Sequence, residues 1–460
     1  MKYSLRILLP KLRSFVRRDG LNATIAKGAS SSFVVNATGM GLVLALQLFL
    51  ARILGTEEYG KYIYALSWVN TLLFVAIWGW STASIRFVSA YKAQEHWQLM
   101  KGFLKVRREA VLLSSFLVAG VLAVSIWYLS DKIGQDLALV FWAACLIIPI
   151  NALLSINKSS LLGLQCVVRA QLPTEIVRPL TLGLSVSLMF IILGDRMTAF
   201  STMVLNLVAA AVALCFAWRW MAQATPANIR RVSAEMKRGE WARTAVALMF
   251  FAGMGELMKR IDILMLGALV GTSEAGIYAI AGRMAALSSF GLLSANAIIA
   301  PVIVNLYSRG KIAELQQVLA FAAAGISVFA ALIMLGLIVF GSFALRMFGE
   351  DFATGYSALI ILLVAQSINA FAGPVGFLMT MTGHQKISLY ILGICVVLNA
   401  ILNAILIPLY GMEGAAIATT LTFTAWNLTM VWFSHSILGI SPTVLSAYTL
   451  FRRRNLSLYE

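Results

Sequence analysis

Of the 460 residues, 60% are hydrophobic and 12% charged, and the mean hydropathy is +0.86. A soluble domain of this length cannot hide so much apolar surface, so the composition excludes a water-soluble enzyme or binding module and requires a bilayer. A net charge of +17 would suggest nucleic acid for a soluble protein; for a membrane protein the question is which side the bases occupy.

The first 29 residues carry Lys2, Arg6, Lys11, Arg13, Arg17, Arg18 and Lys27 without a continuous apolar core. This predicts a basic cytoplasmic segment, not a cleaved signal peptide. Apolar runs long enough to span about 30 Å of hydrocarbon follow at 30–52, 60–83, 109–130, 136–157, 175–194 and 198–219. The segment between the fourth and fifth runs reads either as a long loop or as a helix lying on the surface. A basic cytoplasmic linker, 221–243, then precedes six more runs at 244–270, 275–306, 315–341, 354–382, 387–409 and 412–436, and a tail occupies 437–460. The expected fold class is all-α: a polytopic membrane protein of about twelve transmembrane helices in two six-helix lobes, 30–220 and 244–436.

With the N-terminus inside, 28 of the 36 lysines and arginines fall on the inner side, five outside (Arg52, Lys61, Lys132, Arg196, Arg346) and three within spans. Such a bias marks cytoplasmic loops, so both termini are expected in the cytoplasm and the chain in a cytoplasmic (inner) membrane. The positive excess then belongs to anionic membrane lipids and not to a nucleic-acid partner.

The chain repeats itself. Gly55-Thr56-x-Glu58-x-Gly60-x-Tyr62 recurs as Gly271-Thr272-x-Glu274-x-Gly276-x-Tyr278, each between the first and second spans of its half, and a weaker match pairs Gly163-x-Gln165 with Gly383-x-Gln385. An even number of crossings per repeat gives both halves the same orientation, related by a pseudo-two-fold axis along the membrane normal. Parallel repeats of this kind build alternating-access transporters with the substrate between the halves. Within the motif the expected roles are structural: glycines for a tight turn and close packing, glutamate at a helix N-terminus, tyrosine at the membrane interface.

The seventh span holds Glu256, Lys259, Arg260 and Asp262 in an apolar sequence. Charges in hydrocarbon cost several kcal/mol unless paired or hydrated, so they mark function by default. At 100° per residue the four fall on one stripe about 160° wide, where Glu256 reaches Arg260 and Asp262 reaches Lys259. They either neutralise one another or line a site. Arg283, one span later and without a local acid, adds a surplus cation and favours an anionic substrate. Asn151, Asn206, Asn399 and Asn403 are expected to bridge helices, and Arg178, beside Pro179, lies within reach of a phosphate near the inner surface. His96, His384 and His435 are scattered, as are the four cysteines, and no metal-ligand spacing, Walker motif or paired-carboxylate loop is present. No catalytic residue, metal or cofactor is expected.

Three stretches, LFLARILGTEEYGKYIYALSWV, RIDILMLGALVGTSEAGIYAIAGRM and MFGEDFATGYSALIILLVAQSINAFAGPVGFLMTMTGHQK, resemble the polysaccharide transporter and O-antigen flippase family of the multidrug/oligosaccharidyl-lipid/polysaccharide export superfamily. The likeness runs from about residue 30 to 436. It implies two lobes around a V-shaped opening and a cargo of polyprenyl-pyrophosphate-linked oligosaccharide moved from the inner to the outer leaflet for surface polysaccharide synthesis. Arg260, Arg283, Lys259 and Arg178 would attract the headgroup, while Glu256 and Asp262 would orient the bases or couple an ion. Membrane lipids and the polysaccharide polymerase and chain-length machinery would be its partners. A cation-coupled exporter of the same superfamily is the alternative, although both acids lie beside bases in sequence. A major-facilitator sugar transporter or a glycan polymerase or ligase fits less well, because the second-to-third loop lacks a GxxxDRxGRR-like turn and the outer connections are short.

Overall fold

The structure, a computed structural model, describes residues 20–449. The expected N-terminal segment before Gly20 and the end of the tail, with both termini, lie outside the described residues. Helices follow in the order α1 Gly20–Ile77, α2 Trp80–Ala93, α3 Trp97–Ile133, α4 Gln135–Gly163, α5 Val167–Leu172, a π turn at Pro173–Val177, α6 Arg178–Leu193, α7 Ala199–Ala224 and the short α8 Asn228–Arg231. The second half comprises α9 Arg238–Met258, α10 Ile261–Leu269, α11 Thr272–Ala285, α12 Phe290–Ser308, α13 Ile312–Arg346, α14 Tyr356–Ala372, α15 Val375–Met381 and α16 Gln385–Leu438. The fold is all-α, and no strand occurs among the described residues.

Among the described residues, nine helical stretches are long and apolar enough to cross a bilayer. Two of them fold back on themselves: α1 turns at Gly55 (φ 69°) and α16 at Gly411 (φ 56°). Left-handed backbone at such a sharp reversal suits glycine, which has no Cβ to clash. Together α9 and α10 supply one further crossing, which makes twelve in two sets of six. The protein is a multi-pass membrane protein.

Several crossings read as continuous in sequence are interrupted. Crossing two breaks between α1 and α2 at Trp78 and Gly79, both with positive φ. Crossing seven breaks at Lys259 and Arg260, crossing eight relaxes into a 3-10 turn at Ala286–Ser289, and crossing ten breaks at Gly373 and Pro374. Irregular backbone at membrane depth is tolerated where it is buried in protein or lines a watery cavity. The stretch left open between spans four and five is neither a loop nor a surface helix: α4 continues to Gly163, and α5 and the π turn run directly into α6.

Packing differs between the two ends of the bundle. Around the repeated motifs one continuous core contains side chains of both halves, among them Leu50, Tyr59, Ile147 and Met203 with Leu266, Ile280, Phe352 and Leu359. At the opposite end, which carries the basic segments, the cores are separate: Phe87, Phe103, Leu161 and Trp241 in one, Ile303, Leu319, Leu378 and Ile440 in another. The halves are therefore joined at the motif end and individually packed at the basic end.

Crossing seven is shared between them. Trp241 is fully buried in the first half, donates from Nε1 to Tyr91 Oη at 2.8 Å and meets the Phe103 ring edge-on at 5.5 Å. Lys101 Nζ donates to Val232 O at 2.7 Å and Glu235 N to Gln98 O at 3.1 Å, so the basic linker is strapped to the first half. Beyond the break, α10 packs on α16 and α11 of the second half.

Candidate functional site

The repeated motifs meet each other. A Cβ on Gly60 would lie 2.1 Å from Thr272 O, and one on Gly276 would lie 2.7 Å from Gly60 Cα. The two glycines thus let α1 and α11 meet at backbone contact across the repeat. The preceding Tyr59 crosses the same junction, edge-on to Phe352 at 5.8 Å. Glu58 accepts from Ala199 N, the first residue of α7, at 2.6 Å and from Lys61 Nζ at 2.7 Å. A carboxylate here suits the partial positive charge of a helix N-terminus. In the second motif Glu274 lies against Gly411, at the start of crossing twelve.

The motif tyrosines depart from the sequence expectation. Tyr62 and Tyr278 are each 4% exposed and face buried polar clusters instead of the membrane interface, because the crossings carrying them are enclosed by both halves. In the first half Tyr62 Oη accepts from Asn206 Nδ2 at 3.1 Å; Asn206 Oδ1 accepts from Arg178 Nε and Nη2 at 3.2 and 3.0 Å, and Asn151 Oδ1 accepts from Arg178 Nη1 at 3.1 Å. Arg178 is therefore cradled by neutral amides. In the second half Tyr278 Oη donates to Asp262 Oδ2 at 2.9 Å, Asn403 Nδ2 donates to Oδ1 at 2.8 Å, and Thr419 Oγ1 donates to Oδ2. Asn399 Oδ1 accepts from Asn403 at 3.0 Å, whereas the buried Asn403 Oδ1 has no hydrogen-bond partner. Equivalent tyrosines thus anchor two clusters of opposite charge.

Asp262 does not pair with Lys259, and the four charges of crossing seven do not share one stripe. The helix stops at Met258 and restarts at Ile261, with Arg260 non-helical at φ −130°, so the 100° spacing fails across the break. Asp262 turns inward and is 7% exposed. Lys259 Nζ instead sits 2.7 Å from Glu256 Oε1 and Arg260 Nη2 3.8 Å from Glu256 Oε2. These three remain partly open, while Arg260 Nε is buried without a partner. Arg283, exposed on the last turn of α11, lies near enough to Arg260 for their charges to repel. No ion pair involves Arg283 among the described residues. The break therefore sets Lys259 and Arg260 on a single carboxylate, with Arg283 close enough to Arg260 to add to a local excess of positive charge at membrane depth.

Sequence reasoning missed Thr419, which completes the Asp262 cluster, and the Lys158–Glu175 pair at 2.8 Å. Thr419 offers no signal, because a threonine in an apolar helix usually bonds its own backbone. Lys158 and Glu175 were visible as charges, but reading their segment as a connection hid them.

Comparison with known proteins places this architecture. Residues 25–307 match the family described as Polysaccharide biosynthesis protein. Two relatives come from Haloferax volcanii. The probable low-salt glycan biosynthesis flippase Agl15 is 22% identical over 417 residues, covering 90% of this chain and 84% of its own. The probable flippase AglR is 28% identical over 197 residues, so this chain matches only 41% of that relative's length. Among solved structures, an inward-facing multidrug resistance MATE family transporter of the MOP superfamily superposes with a TM-score of 0.68 at 13% identity, covering 89% of this chain and 98% of that one. The lipid II flippase MurJ in an inward closed conformation gives 0.67 at 16% identity, covering 88% and 87%. The structural likenesses establish a common fold. With the family match spanning more than half its length, the chain belongs to the polysaccharide biosynthesis protein family.

Proposed function

We propose that this protein is a flippase that carries a polyprenyl-pyrophosphate-linked oligosaccharide from the inner to the outer leaflet for surface polysaccharide synthesis. The observation that carries the reading is the cationic cluster at the break of crossing seven, where Lys259 and Arg260 share one carboxylate and Arg283 lies near enough to Arg260 to add a further positive charge. A pyrophosphate diester bears two negative charges and needs such a surplus in a hydrated cavity, while the polyprenyl tail remains in lipid. The flippase names of the Haloferax relatives support the same cargo class. Bases concentrated at the end where the lobe cores separate support loading from the cytoplasmic face, with both termini on that side.

Arg178 adds a cation from the first lobe, held by amides that leave its charge uncancelled. Glu256 orients Lys259 and Arg260. Asp262 is the candidate for ion coupling: it is a buried acid with neutral donors only, two chain positions from Arg260 yet turned away from it. This removes the argument that both acids sit beside bases, so coupling to a proton or monovalent cation is part of the reading. The polysaccharide polymerase and chain-length machinery are its expected partners.

The test is deletion in the native host followed by measurement of lipid-linked oligosaccharide on each leaflet. Accumulation on the cytoplasmic leaflet with loss of surface glycan is expected. Normal surface glycan in a host without a second flippase would reject the function.

A further inference from the structure

The fourth and fifth crossings hold a charged pair that the cluster at crossing seven does not use. Lys158 lies five residues before the end of α4, about 7 Å in from that end at 1.5 Å per residue. Its Nζ is 2.8 Å from Glu175 Oε1 and 3.1 Å from Thr174 Oγ1, and Thr174 Oγ1 is itself 3.0 Å from the same carboxylate oxygen. Thr174 and Glu175 belong to the π turn Pro173–Val177, an insertion that shifts the register of crossing five and that recurs at functional sites. Gly39 of crossing one permits this shape, because a Cβ there would lie 2.8 Å from Glu175 Cβ. The side chains of Lys158 and Glu175 are 32% and 29% exposed. An open charged pair at this depth faces water, since lipid exposure would cost several kcal/mol. Arg178, one turn further along crossing five, carries its charge without an acid.

An ammonium and a hydroxyl converging on one carboxylate oxygen have the donor geometry that binds a phosphate oxygen. We propose that Lys158 and Thr174 form a headgroup subsite on the first lobe that Glu175 fills as a built-in competitor, admitting a doubly charged pyrophosphate and refusing a singly charged phospholipid. A phospholipid phosphate would exchange one negative charge for another and leave Glu175 unpaired at membrane depth. A pyrophosphate brings two charges, which engage Lys158 and Arg178 together and offset the release of Glu175. The inference rests on the flippase reading and adds a filter against the bulk phospholipid that surrounds the protein.

The experiment measures binding of geranylgeranyl-pyrophosphoryl-glucose, a pyrophosphate diester, and of phosphatidylglycerol to the detergent-purified protein by native mass spectrometry, with thermal unfolding to establish that each variant is folded. Because either ligand must release Glu175, Glu175→Gln is expected to raise the binding of both about tenfold and so to bring phosphatidylglycerol into the measurable range, since one charge-assisted contact is worth roughly a factor of ten. Lys158→Gln is expected to lower pyrophosphate binding about tenfold, and the double variant should bind it as weakly as Lys158→Gln. Phosphatidylglycerol binding unchanged in Glu175→Gln, or recovery of wild-type binding in the double variant, would overturn the filter and leave the pair as a tie between crossings. Failure of the underlying functional reading is read separately, from a wild-type protein that shows no preference for the pyrophosphate and no response to Arg260→Ala.

Discussion

Glu256 and Asp262 lie on one crossing, six positions apart, and meet opposite surroundings. Glu256 is 42% exposed and holds two bases in the open; Asp262 is buried and holds three neutral donors. Exposed ion pairs contribute about 0–1 kcal/mol, so Glu256→Gln should leave thermal unfolding almost unchanged while altering transport. Asp262→Ala should destabilise by about 1–3 kcal/mol for each donor that finds no substitute, seen as a lowered unfolding temperature in detergent. Asp262→Asn keeps the volume and removes the charge; transport in this variant should lose its dependence on an imposed proton or cation gradient. A gradient dependence equal to wild type would remove Asp262 from coupling. Arg260→Ala and Arg283→Ala should each abolish complementation of a deletion strain with normal membrane levels of protein, and full complementation by both would sink the headgroup assignment.

At the scale of elements, the decisive contacts are helix against helix. Gly60 and Gly276 bring α1 and α11 to backbone distance, so Gly60→Val must push the lobes apart at the motif end; overpacking of this kind costs about 1–3 kcal/mol or more. Gly41, on the same α1, has open space at its Cβ, and Gly41→Ala should be neutral or stabilising by up to about 1 kcal/mol. Comparing the two variants by thermal unfolding separates a close approach from a general dislike of substitution in α1. Trp241 anchors the start of crossing seven to the first lobe, and its truncation to alanine should cost about 3–5 kcal/mol.

For the whole molecule, the shared core at the motif end and the separate cores at the basic end set how the lobes would move in the proposed transport cycle. Rocking about the Gly60–Gly276 contact would bend crossing seven at Lys259 and Arg260, since its start is anchored to the first half by Trp241 and its continuation α10 packs mainly in the second. The proposed binding of a headgroup at that break would then be coupled directly to lobe movement. In a background with Cys145, Cys166, Cys215 and Cys395 replaced, a cysteine at position 283 should react with an impermeant maleimide applied from the basic end and resist it from the motif end. Equal labelling from both sides would contradict the joined motif end.

Much of this architecture was legible in the sequence. Hydropathy alone counts the crossings, since hydrocarbon demands about 20 apolar residues per helix; the Gly55 and Gly271 motifs pair the halves, and the surplus of bases at crossings seven and eight marks the proposed site. What only the tertiary structure decided is which charge meets which. Helical spacing joins Asp262 to Lys259 only if the helix is continuous, and the break at Arg260 sends one inward and the other out. Tyr62 and Tyr278 resemble interfacial aromatics until the partner half covers them. Lys158 and Glu175 come together through a π turn that no local periodicity encodes. A bilayer enforces length and polarity along the chain, so sequence fixes where the helices are; the pairing of buried polar groups depends on backbone breaks and on the opposite lobe, which local sequence does not carry.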